Sequence, residues 1–398
     1  MTESTLALNG PVMIAAGGTG GHLFPGQALA QELKRRGHSI VLITDERVQR
    51  FDRLFPGADI FSVPAATFSG RGLWGLLTAA GKIVSGTSQS FGILGRVRPS
   101  VVIGFGGYPT LPPMMAAILR RVPTIVHEQN AVLGRVNKTV APFVRIIAST
   151  FPSPKYLKAR DADKLVVTGN PVRDAVLARA NVPYEPLGNG PIRLLVFGGS
   201  QGARVMSDVV PDALSQLPSA FRQRLQVVQQ CRPEDIERVR GTYASAGIDA
   251  TLSDFFDNMP EEIANAHLVI GRAGASTVSE LAVIGRPSIL VPLPHSLDQD
   301  QKANAEVLAD ADAAWMIEQA GFTPEALAGR LVSLFEKPSA LEDAAAAAKK
   351  QGKPDAVQAL ADLVERTASG QSARLQSLAE QDGLLSSEEG TAVGKETT

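Results

Sequence analysis

The chain has 398 residues, of which 44% are hydrophobic and 20% charged, a composition typical of a globular protein large enough for two domains with sizeable cores. Its formal net charge of −1 gives no sign of nucleic-acid binding, and no nucleic-acid partner is expected. The single cysteine, Cys231, excludes an intrachain disulfide framework, and no apolar run approaches the ~20 residues that span a membrane.

Short apolar strands alternate with helical patterns through the first half of the chain. A strand at 12–16 leads into the glycine-rich sequence GGTGGH (17–22), and a helix is expected from about Gly26. Further strands are predicted at 40–43, 60–63, 101–103, 124–126, 144–148 and 165–168. This alternation predicts a parallel sheet covered by helices on both faces.

The same pattern starts again after Gly169-Asn170-Pro171, which we expect to be the hinge between two domains. A strand at 194–197 leads into a second glycine-rich turn, GGSQGAR (198–204). Later strands are predicted at 226–228, 250–252, 268–270, 288–291 and 314–317, and closing helices at 324–336, 340–351 and 354–368. We therefore predict an α/β protein with two Rossmann-like, doubly wound domains facing a cleft.

The predicted domain boundaries follow from this pattern. Residues 1–170, completed by the helix at 354–368, form the first domain, and residues 171–353 form the second. Residues 369–398 are rich in Ser, Glu, Gly and Thr with few large apolar side chains, so we expect a disordered tail.

The segment 268–280, LVIGRAGASTVSE, predicts a strand, a glycine-rich turn and a helix from about Ser276. Because a helix N-terminus carries about half a positive charge, a phosphate could bind there. Thr277 and Glu280 have the spacing of a capping box. Glu280 therefore either caps its own helix or accepts hydrogen bonds from the sugar hydroxyls of a nucleotide.

His22 closes the first glycine-rich turn and is expected to face the cleft. There it could take a proton from an attacking hydroxyl group, a role that accelerates a reaction about 10²–10⁴-fold. The turn is not the dinucleotide fingerprint, because Leu23 stands where the third glycine is required, so Asp45 is weak evidence for a nicotinamide cofactor.

Two further segments follow predicted strands at the same cleft edge. The first is GFGGYPT (104–110), and the second is HEQN (127–130), in which Glu128 belongs either to a buried network or to the site. No metal site is expected: the two Asp-Ala-Asp sequences, at 161–163 and 310–312, do not follow clear apolar strands.

The segment 68–83, FSGRGLWGLLTAAGKI, combines leucines and a tryptophan with glycines and two basic residues. One interpretation is an interfacial patch that buries apolar area in an anionic lipid surface. The alternative is a helix that packs into the core. The sequence does not decide between them.

Six motifs in this order closely resemble the MurG family of bacterial peptidoglycan N-acetylglucosaminyltransferases, which belong to glycosyltransferase family 28 and have the GT-B fold. The motifs are GGTGGH, GGY, HEQN, GNPVR, GGSQGAR and GASTVSE, and the resemblance spans roughly residues 10 to 368. It implies a hexosyltransferase that needs no cofactor and moves GlcNAc, with inversion, from UDP-GlcNAc to the MurNAc C4 hydroxyl of lipid I, undecaprenyl-pyrophosphoryl-MurNAc-pentapeptide. The products would be lipid II and UDP.

The resemblance also implies a cellular setting: peptidoglycan synthesis, and with it cell shape and division. The enzyme would be peripheral at the cytoplasmic face of the inner membrane, touching the anionic surface through 68–83. Proteins of cell-wall synthesis are candidate partners.

The family's roles can be carried over position by position. His22 would be the base or an acceptor ligand, supported by Glu128 and Tyr108; whether His22 or a water held by Glu128 takes the proton stays open. Gln301 would contact the GlcNAc, Ser200 the phosphates or ribose, and the Phe256 backbone the uracil. The remaining substrate-binding positions implied are Thr19, Gly20, Gly21, Asn130, Arg173 and, for the diphosphate and ribose, Ala275, Ser276, Thr277, Val278, Ser279 and Glu280.

Other functions fit the same architecture. A related transferase acting on diacylglycerol and a UDP-GlcNAc epimerase are enzyme alternatives, and a non-catalytic nucleotide-sugar sensor is an alternative of another class. A nicotinamide dehydrogenase is the remaining rival.

Overall fold

The computed structural model describes residues 8–18, 20–45, 54–66, 73–199 and 202–371, without the side chains of Leu73, Trp74 and Leu297. Two parallel sheets form its framework. The first contains β1 (Val12–Ala15), β2 (Ile40–Thr44), β3 (Asp59–Ser62), β4 (Val101–Gly104), β5 (Thr124–Glu128), β6 (Ile146–Ser149) and β7 (Leu165–Val167). The second contains β8 (Ile192–Phe197), β9 (Leu225–Gln230), β10 (Asp249–Ser253), β11 (Leu268–Gly271), β12 (Ser288–Leu290) and β13 (Ala314–Met316).

Helices connect and cover these strands. In the first half they are α1 (Gly20–Arg35), α2 (Leu73–Val97), α3 (Leu111–Leu119) and α4 (Arg135–Val140). Those that follow are α5 (Asp174–Leu177), α6 (Arg204–Ser215), α7 (Ser219–Arg222), α8 (Ile236–Ala246), α9 (Met259–Asn265), α10 (Ala275–Ile284), α11 (Asp300–Asp310), α12 (Pro324–Glu336), α13 (Ser339–Gln351) and α14 (Ala356–Ala368). Short 3₁₀ turns occur at Tyr108–Thr110, Ala159–Lys164, Pro233–Asp235, Leu297–Gln299 and Gln319–Gly321.

Both sheets have the doubly wound strand order, which confirms the predicted α/β fold. The orders are β3-β2-β1-β4-β5-β6-β7 and β10-β9-β8-β11-β12-β13. Successive residues of β1 enter opposite cores, Val12 and Ile14 on one face and Met13 and Ala15 on the other. Strands buried on both faces, such as β1, β2 and β11, have continuous apolar sequences, and this made them predictable. Three strands at the sheet edges, β3, β7 and β10, are partly exposed and were also predicted.

Helix α1 begins at Gly20, six residues before the predicted start at Gly26. The prediction was wrong because Pro25, which normally ends a helix, lies inside this one. Because Pro25 has no N–H, the carbonyl of Gly21 lacks its usual helical hydrogen bond. His22 therefore lies in the first turn of a helix and not in a loop.

The C-terminal helix α14 returns to the first sheet. Its residues Leu360 and Val364 belong to the same core as Val12 and Ile14. On the solvent side, Arg36 Nη1 lies 3.0 Å from Glu365 Oε2. The tail predicted for residues 369–398 lies outside the described residues from 372 onward.

Helix α2 carries exposed apolar side chains. Leu76 and Leu77 are 48% and 54% exposed, so the core-packing interpretation is wrong for these two residues. Val84, just beyond the segment, is 69% exposed. Residues 67–72 of the same segment lie outside the described part. Among the described residues, no helix is both long and apolar enough to cross a membrane.

Candidate active site

Within each sheet all strands are parallel, so the loops that follow the strands lie along one edge of that sheet. In doubly wound sheets, ligands bind at the carboxyl ends of the strands. In the first sheet, the turns after β1, β4 and β5 lie at this edge. In the second sheet, the turns after β8, β10, β11 and β12 do so. The predicted site residues lie in these turns or just after them.

His22 is held by a side chain from the turn after β5. Its Nδ1 lies 3.1 Å from Gln129 Oε1. The other side of the ring lies against the turn after β4, where a Cβ built on Gly107 would come 3.4 Å from His22 Nε2. Gly106 and Gly107 both have positive φ values, 79° and 75°, which a side chain would disfavour. The two glycines thus keep the space beside Nε2 clear.

Glu128 organises the loop that follows β5. Its Oε1 accepts hydrogen bonds from the backbone N and the Nδ2 of Asn130, at 3.0 and 3.2 Å. Its Oε2 accepts from Gly134 N at 2.7 Å and from Asn137 Nδ2 at 2.9 Å. Burial raises the pKa of the Glu128 carboxyl, whereas these hydrogen bonds act in the opposite direction. Both oxygens are engaged in holding backbone and amide groups.

A buried asparagine of α11, Asn304, joins the loop after β5 to the loop after β11. Asn304 Nδ2 donates to Asn130 Oδ1 at 3.0 Å and to Ala273 O at 3.1 Å. Asn304 Oδ1 accepts from Ala131 N at 2.8 Å. The side chain of Asn130, predicted to bind substrate, is therefore shared between Glu128 and this link.

Helix α10 presents its N-terminus to the cleft. Gly274 is the N-cap residue, and no described side chain caps the helix there. Because the helix begins at Ala275, Thr277 cannot be the N-cap, and the capping-box interpretation of Glu280 is wrong. The first N–H groups of α10 therefore lack a side-chain acceptor, as an anion-binding helix end requires.

The six predicted residues of α10 differ in what they contact. Val278 packs into the core of the second domain. Ser279 Oγ donates to Ala275 O at 2.8 Å and accepts from Asn170 Nδ2 at 3.1 Å. The Ser276 hydroxyl is buried without a hydrogen-bond partner among the described residues. Ser276 is therefore better placed than Ser279 to meet a ligand.

Glu280 is connected to the first domain through an arginine. Arg173 Nη2 donates to Glu280 Oε1 at 3.2 Å. The same guanidinium lies 4.8 Å from the centre of the Phe24 ring, one half-turn after His22 in α1. Burial raises the pKa of the Glu280 carboxyl, and the Arg173 charge works against that rise. This chain of contacts links the middle of α10 to the beginning of α1.

Other predicted residues lie around this centre. Tyr108 OH donates to Asp45 Oδ2 at 2.8 Å. Asp45, the residue considered above as weak evidence for a nicotinamide cofactor, is thus a hydrogen-bond partner of Tyr108. Gln301 Oε1 accepts from Leu293 N at 3.0 Å. Phe256 lies half-buried in the loop after β10.

The remaining predicted positions are at the glycine-rich turns. Gly20 and Gly21 are the first residues of α1. Thr19 and Ser200 lie outside the described residues. No group of side chains suited to hold a metal ion occurs in the described ranges.

The sequence analysis missed the roles of Gln129 and Asn137. Gln129 is almost completely buried and contacts both His22 and His127. Asn137 Nδ2 donates to Glu128 Oε2 and to His127 O. Gln129 lies inside the motif HEQN, so the motif was a usable signal, whereas nothing local marked Asn137.

The family comparison covers most of the chain. Residues 12–149 match the N-terminal domain of glycosyltransferase family 28, and residues 193–360 match its C-terminal domain. Among solved structures, MurG of Acinetobacter baumannii superposes with a TM-score of 0.74 at 29% identity, over 90% of this chain and 99% of that one. A UDP-GlcNAc 2-epimerase from Neisseria meningitidis, with a TM-score of 0.63 at 12% identity, shares the fold.

Curated relatives match over nearly their whole length. The UDP-N-acetylglucosamine–N-acetylmuramyl-(pentapeptide) pyrophosphoryl-undecaprenol N-acetylglucosamine transferase of Paramagnetospirillum magneticum is 51% identical over 354 residues, 89% of this chain and 95% of that protein. The protein of the same name from Methylobacterium nodulans is 53% identical over 360 residues, 90% and 96% of the two chains. The chain therefore belongs to glycosyltransferase family 28 and, within it, to the MurG family of N-acetylglucosamine transferases.

Proposed function

We propose that this protein transfers GlcNAc from UDP-GlcNAc to the C4 hydroxyl of the MurNAc residue of lipid I, giving lipid II and UDP. The observation that carries the proposal is the match to relatives bearing this activity in their name, at 51% and 53% identity over nine-tenths of the chain. The site described above supplies a group for each step: an anion-binding helix end, a buried carboxylate and an imidazole.

The donor diphosphate would bind at the N-terminus of α10. A charge at such a helix end contributes only ~0.3–1 kcal/mol when exposed and up to ~2 kcal/mol when partly buried. Micromolar affinity requires about 8 kcal/mol, so the uridine and the sugar must supply the rest. Glu280 would accept from the ribose hydroxyls, Phe256 would meet the uracil through its backbone, and Gln301 would contact the GlcNAc.

Two further residues would complete the donor site. Thr19 and Ser200 belong to the glycine-rich sequences GGTGGH and GGSQGAR, and both would approach the phosphates or ribose. Arg173 would hold Glu280 in its charged form, since its guanidinium lies 3.2 Å from the carboxylate. The proposed donor site thus draws on both domains.

His22 would be the general base. Nε2 takes the proton of the acceptor C4 hydroxyl while that oxygen bonds to the anomeric carbon from the face opposite UDP. The bond from this carbon to the phosphate oxygen breaks, and its electron pair leaves with UDP. Amide N–H groups at the tip of α10 stabilise the charge that develops on the leaving group.

Glu128 is the weaker candidate for this proton transfer. Four donors already occupy its two oxygens, and breaking any of these bonds would release the loop that carries Gln129 and Asn130. We assign Glu128 to the shape of the acceptor loop and His22 to the proton.

Helix α2 would bring the enzyme to its lipid-linked acceptor at the cytoplasmic face of the membrane. Exposed Leu76 and Leu77 share this helix with Lys82, a combination that favours an anionic lipid surface. Binding to phosphatidylglycerol vesicles should weaken strongly in the Leu76→Ser/Leu77→Ser variant. Phe143→Ser, which removes an apolar side chain that is 63% exposed elsewhere on the surface, is the control. Equal binding by all three proteins would refute this contact.

The function is tested by separating binding from turnover. Calorimetry with UDP, combined with UDP release in the presence of a short-chain lipid I analogue, should give opposite results for two variants. His22→Ala should bind UDP like the parent and lose turnover, whereas Glu280→Ala should lose UDP binding. Normal turnover by His22→Ala would contradict the catalytic assignment, and unchanged UDP binding by Glu280→Ala would contradict the donor site.

A further inference from the structure

A line of hydrogen bonds runs from His22 into the interior of the first domain. His22 Nδ1 contacts Gln129 Oε1 at 3.1 Å, and Gln129 Nε2 contacts His127 Nδ1 at 3.0 Å. His127 Nε2 contacts the carbonyl oxygen of Gly169 at 3.0 Å. Gln129 and His127 are buried, whereas His22 is half-buried. The line therefore has one end at the cleft and the other at the interdomain crossing.

The contact between His127 and Gly169 O determines which atoms in this line of hydrogen bonds carry protons. A carbonyl oxygen only accepts, so His127 Nε2 must carry the hydrogen that meets Gly169 O. In a neutral ring, His127 Nδ1 is then an acceptor, and the Gln129 amide nitrogen donates to it. That nitrogen also donates to His127 O at 3.1 Å, which fixes the orientation of the amide.

The same logic reaches His22. With its nitrogen turned toward His127, Gln129 presents its oxygen to His22, so His22 Nδ1 must donate. A neutral His22 then has its lone pair on Nε2, the atom that faces the glycine-lined turn at Gly107. The lone pair then lies on the side of the ring next to the turn that follows β4.

The inner histidine keeps this arrangement at neutral pH. Burial lowers the pKa of His127 to about 4, so its ring stays neutral and Nδ1 stays an acceptor. A protonated His127 would donate from both nitrogens and would turn the Gln129 amide around. His22 Nδ1 would then face a donor.

We propose that Gln129 and His127 are positioning residues that hold His22 in its Nδ1–H tautomer, with the Nε2 lone pair directed at the acceptor hydroxyl. This inference deepens the proposed function and rests on His22 being its base. Neither positioning residue touches the substrate. Their effect is on which nitrogen of His22 can take the proton and on the angle of the ring.

The direct test is the tautomer itself. Long-range ¹H–¹⁵N spectra of the full chain, with the His22 signals identified by their loss in His22→Gln, distinguish the two neutral forms. The parent should show His22 as Nδ1–H alone, and Gln129→Met, which keeps the size but removes the amide, should show a mixture. An Nε2–H form in the parent would overturn the proposal without any variant having to fold.

Kinetics supply the second measurement. Gln129→Met should lower kcat by about tenfold or more, within the 10²–10⁴-fold that a general base contributes. Its KM for UDP-GlcNAc should stay near the parent value, because the Gln129 amide contacts His22 and His127 and none of the residues assigned to the donor. Gln229→Met on β9, which also loses a buried amide, is the control and should keep the parent kcat.

The outcomes separate this inference from the proposed function. If His22→Ala is inactive but Gln129→Met turns over like the parent, the positioning role is refuted while the base remains. If His22→Ala is active, the base itself is refuted, whatever the tautomer.

Discussion

Asn304 and Asn130, on opposite sides of the cleft, are joined by a hydrogen bond of 3.0 Å from Asn304 Nδ2 to Asn130 Oδ1. The same Asn304 amide reaches the turn before α10 through Ala273 O. One completely buried side chain thus ties the loop proposed for the acceptor to the helix end proposed for the donor diphosphate.

Asn304→Ala should destabilise the protein and loosen this link. The change leaves Ala131 N and Ala273 O without their buried partner, at about 1–3 kcal/mol for each unsatisfied group. Urea unfolding measures the loss. A variant within about 0.5 kcal/mol of the parent, the usual range of surface substitutions, would show that the link carries no stability.

Gly169→Ala should cost more than the same change at another glycine of positive φ. Gly169 has a φ of +82°, and a Cβ there would lie 2.7 Å from Lys353 Cβ and 2.9 Å from Ala356 Cβ. Gly247 has a φ of +67° with no atom within 4 Å of its added Cβ. Gly247→Ala should therefore lose only the unfolding free energy that corresponds to the backbone strain, about 1–3 kcal/mol. Gly169→Ala should lose this amount and a further amount from the steric clash. Equal losses of unfolding free energy would contradict the close packing of Gly169 against Lys353 and Ala356.

His127 should make the protein less stable in acid. Its pKa is lowered from 6.5 to about 4 in the folded protein, so between these values the unfolded chain binds the extra proton. The stability associated with the neutral ring is thus fully present above pH 6.5 and is lost as the pH falls toward 4, by at most about 3 kcal/mol.

The measurement is the unfolding free energy of the parent and of His127→Gln between pH 7 and pH 4. Their difference should shrink as the pH falls, because only the parent loses this contribution. Contributions from other groups, including His267, whose pKa is also lowered to about 4, cancel in the comparison. Parallel curves would mean that His127 is not held neutral by burial.

Glu280→Gln should weaken UDP binding by about 10–100-fold, since a hydrogen bond to a charged group contributes about 1.5–3 kcal/mol. In the parent, UDP affinity should fall as the pH is lowered, beginning at a higher pH than for an ordinary glutamate, because burial raises the Glu280 pKa. Calorimetry across this range should find no such fall in Glu280→Gln. Glu261→Gln, an exposed glutamate on α9, is the control. A pH dependence that survives in Glu280→Gln would assign it to another group.

Most strands could be predicted because they are short apolar runs buried on both sides, such as β1, β4 and β11, and the glycine turns follow from their position after those strands. The start of α1 could not be predicted, because Pro25 and the preceding glycines are typical of a helix boundary, whereas the helix begins at Gly20 and continues through Pro25. The capping box failed for a related reason: Gly274 and not Thr277 starts α10.

The hydrogen-bond line from His22 could not be predicted from local pattern. His22 and Gln129 are 107 positions apart, and only the adjacency of β1, β4 and β5 in the sheet brings their turns together. The resemblance to a family could assign His22 a role but not the tautomer that the role needs. That information lies in the contact with Gln129.

The most direct test of the account is UDP release from UDP-GlcNAc in the presence of a short-chain lipid I analogue. We expect release only when the acceptor is added, with an equal amount of β-linked disaccharide formed, and none with an acceptor in which hydrogen replaces the C4 hydroxyl. Release at the same rate without an acceptor, or with the 4-deoxy acceptor, would contradict a transferase that deprotonates that hydroxyl.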